Sequence, residues 1–384
     1  MGGVAMKTSS SEINHLDVVA IGELLIDFAP YGVNDVNYPI LSALPGGAPA
    51  NFLAACSARG LKAGFIGGIG DDYFGQRLSG TLQDLDIDVS AVQVYPEAFT
   101  TLAFVTLDET GDRSFSFARK PGADQFFKMD DKTAAVVKNA RCLHFGTFIM
   151  SNEATAAEMI YAVEYARQNG VWISFDPNYR SFIWRDENKA REAILWGLTH
   201  TDSTKIGLDE LVFAYPELSD VLATGDSTQR EYVHREAVRR LFSNDGIKIA
   251  FITMGVDGSI VARRTSDQRV EWVFVDGFTQ ATTVDTTGAG DIFGGTAWSL
   301  FYRLCQRKSS NKKESGGFTL DPHLLSKRDL LDIGVIASAT ASLSTTRFGG
   351  ISSVPQVAEV ADFLQNKFDH TKIEIEQLIQ TIRL

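Results

Sequence analysis

The sequence predicts an α/β fold with a mainly parallel sheet, and two patterns carry that prediction. Strand-like runs alternate with helix-length patterns along most of the chain, as βαβ units require. The 384 residues, 44% of them hydrophobic, are also enough to bury a sheet on both faces. Taken in order, the elements begin with the run Asp17 to Ile26, a helix after Asn51, a strand from Ala63 to Gly68 and a helix from Gly75 to Leu85. A short run around Cys142 to Ile149, a helix from Ala154 to Asn169, a strand from Trp172 to Asp176 and a helix around Ala190 to Leu198 follow. The strands Ser203 to Ile206 and Ile249 to Met254 and a long helix from near Asp291 complete the core.

Two segments break this rhythm, 28–44 and 100–119, and the second reads as a hairpin turning at Asp108 to Asp112. They are expected to form antiparallel strands outside the main sheet, whose uncovered face would favour a homodimer. Residues 1–14 are expected to be a disordered leader, residues 307–322 a polar surface loop, and Ile373 to Leu384 an amphipathic helix. One domain, 15–370, holds the rest.

The net charge of −12 and the absence of a Lys/Arg cluster speak against nucleic acid and against an anionic membrane as partners. No apolar run approaches the ~20 residues of a membrane span, so a cytoplasmic location is expected. Cys56, Cys142 and Cys305 are odd in number and widely spaced, which suggests buried, reduced thiols.

The stretch Val284-Asp285-Thr286-Thr287-Gly288-Ala289-Gly290-Asp291 is the most informative. Its glycines let backbone approach a ligand, its amides would face an anion from a helix N-terminus, and it ends in a carboxylate. Phosphoryl transfer to a hydroxyl needs that set: Gly288, Ala289, Gly290 and Asp291 would supply the anion hole, and Asp291 the base. At the other end of the chain, Pro45-Gly46-Gly47-Ala48-Pro49-Ala50-Asn51 opens a helix, so a polyol could lie on bare backbone and meet the amide of Asn51. Asp27 ends the first apolar run, where open sheets place ligand groups. Strand alternation puts Arg113, Phe115, Phe117 and Arg119 on one face.

These two glycine segments, in this order, resemble the two signatures of the ribokinase-like sugar kinases, the pfkB family, over about Val18 to Pro355. The resemblance implies a three-layer α/β/α core with a small β lid, ATP with Mg²⁺ as cofactors, and a sugar as substrate. By the same resemblance, Asp27, Gly46, Gly47, Asn51, Phe117, Arg119 and Arg180 would contact the sugar. Lys205, Thr253, Gly255 and Gly258 would join Gly288 and Gly290 on the nucleotide side. Ser203 to Glu210 corresponds to the family's Asn-x-x-Glu region, with Glu210 arranging the Mg²⁺ water shell, but the Asn position is Gly207. Asp285, Thr287, Ser344, Gly349 and Ser353 would hold K⁺. The run Asp112 to Asp124 is most similar to fructokinases, implying transfer to the C6 hydroxyl of D-fructose. A 2-keto-3-deoxygluconate kinase, a ribokinase, or a catalytically silent sugar-binding relative stays open at this point.

Overall fold

Alternation along single strands sets the architecture. Val18 and Ala20 pack into one apolar cluster while Val19 and Ile21 pack into another, and Ile249 and Phe251 part from Ala250 and Ile252 in the same way. The sheet is therefore covered on both faces by helices, a three-layer α/β/α sandwich. The structure, a computed structural model, describes residues 15–107, 113–219, 230–278, 282–310, 319–367, 378 and 380–383.

The strands are β1 Val18–Ile21, β2 Leu25–Val33, β3 Pro39–Gly46, β4 Ala63–Gly70, β5 Asp88–Tyr95, β6 Thr101–Leu107 and β7 Arg113–Ala118. They continue with β8 Cys142–Phe145, β9 Trp172–Phe175, β10 Ser203–Gly207, β11 Ile249–Thr253, β12 Ser259–Arg264 and β13 Val270–Val275. The helices are α1 Ala48–Ser57, α2 Tyr73–Asp84, α3 Asp131–Lys138, α4 Glu153–Gln168 and α5 Glu187–Thr199. After them come α6 Leu208–Ala214, α7 Arg230–Leu241, α8 Ala289–Ser310, α9 Lys327–Ser344 and α10 Val357–Lys367. Side-chain caps fix several starts: Asp72 accepts from the Gly75 amide at α2, Asn152 from Ala154 at α4, and Ser326 with Asp329 forms a capping box at α9.

Among the described residues, nine strands form the main sheet in the order β13-β12-β11-β10-β9-β8-β1-β4-β5. Pairing is parallel from β11 across to β5, and β12 and β13 add an antiparallel edge. One cluster, under α1, α8 and α9, holds Phe52, Trp298, Phe301 and Ile336; the other, under α4 and α5, holds Met159, Val163, Ile194 and Leu198. Burial of each such side chain contributes roughly 1.5–3 kcal/mol.

A second sheet, β3-β2-β6-β7, forms the lid. It is mixed rather than wholly antiparallel, because β2 pairs β6 in parallel. The apolar run Asp17 to Ile26 is two strands, not one: β1 lies in the core and β2 in the lid. The reason is Glu23 between them, whose carboxylate accepts from the Ala48 amide at 2.8 Å and draws the chain out of the sheet. Asp27 consequently sits on a lid strand, not at a core strand's end.

The leader 1–14, the hairpin turn 108–112, residues 311–318 of the 307–322 loop and most of the C-terminal segment lie outside the described residues. The loop does start later than expected, since α8 runs on to Ser310 with Lys308 paired to Asp329 at 2.7 Å. No helix among the described residues is long and apolar enough to cross a membrane. The three cysteines are buried and free.

Candidate active site

Side chains from distant segments meet beyond the carboxyl ends of β1, β9, β10 and β11, where a parallel sheet opens a crevice. At the centre is Asp291, in the first turn of α8 and buried. Two amides hold its carboxylate: Asn51 Nδ2 donates to Oδ2 at 2.9 Å, and Asn178 Nδ2 to Oδ1 at 2.5 Å. Asn178 takes a left-handed conformation, φ 41°, just after β9, which turns its side chain back to the site. Burial pushes the Asp291 carboxyl above its ordinary pKa, while Lys205, the Asn51 bond and Arg180 pull it down.

The turn before α8 tolerates no side chain at Gly288: φ is +74°, and a Cβ would lie 2.8 Å from Gly350 Cα and 3.0 Å from Asn51 Nδ2. The first amides of this 22-residue helix have no partner within the helix and carry the positive end of its dipole. Lys205 Nζ lies beside them, 3.1 Å from where a Gly290 Cβ would stand, and pairs with Asp176 at 3.2 Å. Burial alone would lower the Lys205 pKa, but Asp176, Glu210 and Asp291 raise it above its ordinary value, so the cation is fixed at neutral pH.

Asp285 ties the turn to the loop 344–353. It accepts from the Thr287 amide at 2.9 Å, the Thr287 hydroxyl at 2.7 Å and the Gly349 amide at 2.8 Å. The amides of Val284 and Asp285 donate to the Thr345 carbonyl. Ser344 and Ser353 donate their hydroxyls to the carbonyls of Ala341 and Gly350 at 2.8 Å.

In the paired strands β2 and β3, Asp27 stands opposite Leu44 and Leu25 opposite Gly46, and the Asp27 carboxylate lies diagonally against the bare Gly46 backbone. Burial, then the charge of Asp285, raises its pKa to about 7, against the pull of Arg180. Gly47, φ 115°, starts α1; a Cβ there would meet the Glu23 carbonyl at 2.5 Å. Arg180 lines a polar cavity of about 340 Å³ together with Asn178, Lys205, Glu210, Thr253 and Asp291. Beyond it a more apolar cavity of about 370 Å³ is lined by Thr253, Gly255, Val256, Gly258, Phe278 and Phe293. Thr253, Thr286 and Gly290 border both, so the two adjoin. Glu210 accepts from the amides of Tyr179 at 2.7 Å and Gly207 at 2.8 Å.

Phe117 and Arg119 are not brought to the Asp291 cluster. They line a neighbouring groove of about 1230 Å³, where Phe117 stacks on Phe182. The Arg119 guanidinium is engaged by Asp124, the Ser151 hydroxyl and the Phe148 ring. The side chains of Arg113 and Phe115 lie outside the described residues.

Sequence reasoning missed Glu23 and Asp176. Glu23 holds the start of α1, and burial raises its pKa to about 8; Asp176 anchors Lys205. A carboxylate inside an otherwise apolar run, such as Glu23, costs too much to bury without a partner, and that was the available signal.

A buried carboxylate at a helix N-terminus, a lysine beside the same amides and two adjoining cavities fit a phosphotransferase that acts on an alcohol. The chain belongs to the pfkB family of carbohydrate kinases, whose family model matches residues 15–357. Fructokinase-1 of Zea mays is 33% identical over 350 residues, covering 91% of this chain and 97% of that protein. Among solved structures, fructokinase from Xylella fastidiosa with bound ATP superposes with a TM-score of 0.75 at 23% identity, over 91% of this chain and 99% of that one. Fructokinase from Vibrio cholerae O395, in a form with fructose, ADP and calcium ion bound, gives 0.69 at 25%, over 91% and 100%.

Proposed function

We propose that this carbohydrate kinase transfers the γ-phosphoryl of ATP to D-fructose, giving fructose 6-phosphate. The observation that carries the chemistry is Asp291 held between Asn51 and Asn178 at the mouth of the anion hole. Plant and bacterial fructokinases among the relatives support the choice of sugar. Asp291 takes the proton of the attacking hydroxyl as the new O–P bond forms; the bond from the γ-phosphorus to the β–γ bridging oxygen breaks, and ADP leaves. The first α8 amides and Lys205 face the charge that builds on the transferred group. Asp27, Gly46, Gly47 and Asn51 receive the sugar, and the apolar cavity around Val256 and Phe278 suits the base of the nucleotide. ADP production from MgATP, measured with fructose, ribose, 2-keto-3-deoxygluconate, adenosine and fructose 6-phosphate, tests the reading. A preference for any of the other four acceptors overturns the choice of fructose, and silence with all five overturns turnover itself.

The residues fit Mg²⁺: Glu210 and the polar cavity supply oxygen donors near the phosphate side, as a water-rich octahedral ion requires. When bound with ATP, Mg²⁺ supplies neutralisation of phosphate charge. The all-oxygen set of Asp285, Thr287, Ser344, Gly349 and Ser353 likewise suits K⁺, which would stiffen the turn carrying the amides. Rates at fixed ionic strength should be higher in K⁺ than in Na⁺ or a bulky organic cation, and Asp285→Ala should remove most of the difference. Equal rates in all three cations would reduce the loop to a structural role.

Because Asp27 takes its proton near pH 7 in the free protein, fructose binding should weaken as pH falls. The carboxylate is roughly a tenth ionised one unit below its pKa, so the fructose Kd should rise about tenfold between pH 8 and pH 6. In Asp27→Asn it should be weak and flat. The same shift means that the folded state binds this proton more tightly than the unfolded one, so Asp27 costs stability as pH rises from 3.8 through about 7. A parent Kd that ignores pH would remove Asp27 from the sugar contacts.

The lid's outer face supports a homodimer. Tyr31, Val33, Val36 and Tyr38 are 61–72% exposed on and between β2 and β3. Sedimentation should give a dimer that Tyr31→Lys with Val33→Lys dissociates; a monomeric parent would refute it.

A further inference from the structure

Gly207-Leu208-Asp209-Glu210 resembles the family's Asn-x-x-Glu region with glycine at the Asn position, so position 207 itself brings no side chain to the phosphate side of the cleft. The space is not left open. A Cβ on Gly207 would collide with Asp209 Oδ1 and lie 3.2 Å from Glu210 Oε2, so the Asp209 carboxylate is folded back over the backbone from which the amide would have grown. Asp209 also borders the polar cavity that contains Lys205, Glu210 and Asp291.

Its neighbours differ from it in one respect. Glu210 spends both carboxylate oxygens on the amides of Tyr179 and Gly207, and Asp176 is occupied by Lys205 and the Asn178 amide. The Asp209 carboxylate, exposed to solvent, makes no hydrogen bond or ion pair with any of the described residues. An acid in the first turn of α6 would serve the helix dipole from any outward rotamer. That role alone does not explain a carboxylate lying over the N-cap glycine, in the space a side chain at 207 would use.

We infer that Asp209 replaces the missing amide as the side chain that Gly207 cannot supply, presenting its carboxylate to the water shell of the divalent cation that accompanies the nucleotide. The inference rests on the Mg²⁺ reading above and adds the residue that completes it. Replacing an amide by a carboxylate has a signed consequence. Without the cation, Asp209 repels the phosphates; with it, Asp209 holds the ion's waters. Nucleotide affinity in this chain should therefore depend on the cation through position 209.

Calorimetric titration of ADP into the full chain, once in EDTA and once in excess Mg²⁺, reads this without turnover. For Asp209→Ala the ADP affinity should rise in EDTA and fall in Mg²⁺, shrinking the ratio of the two affinities roughly tenfold, as loss of a partner behind a metal's ligands typically does. Gly207→Asn combined with Asp209→Ala should recover most of the ratio, because the amide then occupies the freed space. Glu210→Gln serves as the control for the cation itself. If Glu210→Gln shrinks the ratio while Asp209→Ala keeps the parent's, or shifts both affinities in the same direction, the role of Asp209 is overturned and the Mg²⁺ reading stands. If Mg²⁺ leaves ADP affinity unchanged even in the parent, the Mg²⁺ reading falls and the inference with it.

Discussion

Asp291→Asn should lower kcat by ~10²–10⁴-fold, the usual contribution of a positioned general base, while the fructose KM stays within about twofold. The structure explains why the variant should still fold. Both neighbours give amide N–H groups to the carboxylate, so an amide at 291 would set one donor against another. Asn51 can relieve that clash by rotating its side-chain amide, because its Oδ1 is buried with no hydrogen-bond partner among the described residues and becomes available as the acceptor. What is lost is the proton acceptor, not the packing. Steady-state rates at saturating MgATP, with the melting temperature measured alongside, check this; a variant that turns over like the parent would take Asp291 out of the chemistry.

The site's two ends were legible in the sequence because each is made of backbone. Glycines at 46, 47, 288 and 290 leave a mark that survives without coordinates, since close approach of main chain to a ligand has few other solutions. The α/β layering was legible for a similar reason: long periodic helices and apolar strands repeat. What the sequence hid were consequences of pairing between distant side chains. Nothing local distinguishes Asp176 as the counter-ion of Lys205, or Asn178 as a donor to Asp291; both pairings arise only when β9, β10 and α8 converge. The single run from Asp17 to Ile26 concealed a change of sheet, because its hydrophobicity is continuous and the break depends on Glu23 meeting the amide of Ala48. Among the elements that went unread are the edge strand β5, only half-buried along most of its length, and the helix α3, only eight residues long; β13, α7 and α10 went unread too. For the lid exit, alternation correctly grouped Phe117 with Arg119, but it could not foresee that Asp124 and Ser151 would engage the guanidinium in a groove beside the Asp291 cluster.

The same hidden pairing makes Lys205→Met the change with the largest combined effect. Lys205 is a cation on β10 set among Asp176, Glu210 and Asp291, all buried. Methionine keeps the length and apolar stem but leaves three carboxylates without their cation, and removing one partner of a buried pair costs about 3–5 kcal/mol. Burial already raises the pKa of each of the three, and Lys205 holds each of them down. Without it they shift further upward, so the folded variant carries protons that the unfolded chain releases, and its stability falls as pH rises through the weakly acidic and neutral range. The parent follows less steeply, because Lys205 holds the same three carboxylates lower and its own raised pKa keeps its contribution intact until the pH passes the ordinary lysine value of 10.5. The gap in melting temperature between parent and variant should accordingly be wide at pH 8 and narrow at pH 5. Activity should fall by roughly 10²–10³-fold as well, the loss typical of one preorganised donor facing a developing charge. A wide gap that ignores pH would mean that the lysine stem stabilises by packing alone. A silent enzyme with the parent's melting temperature at both pH values would assign Lys205 to the phosphoryl group and leave the carboxylates to other partners.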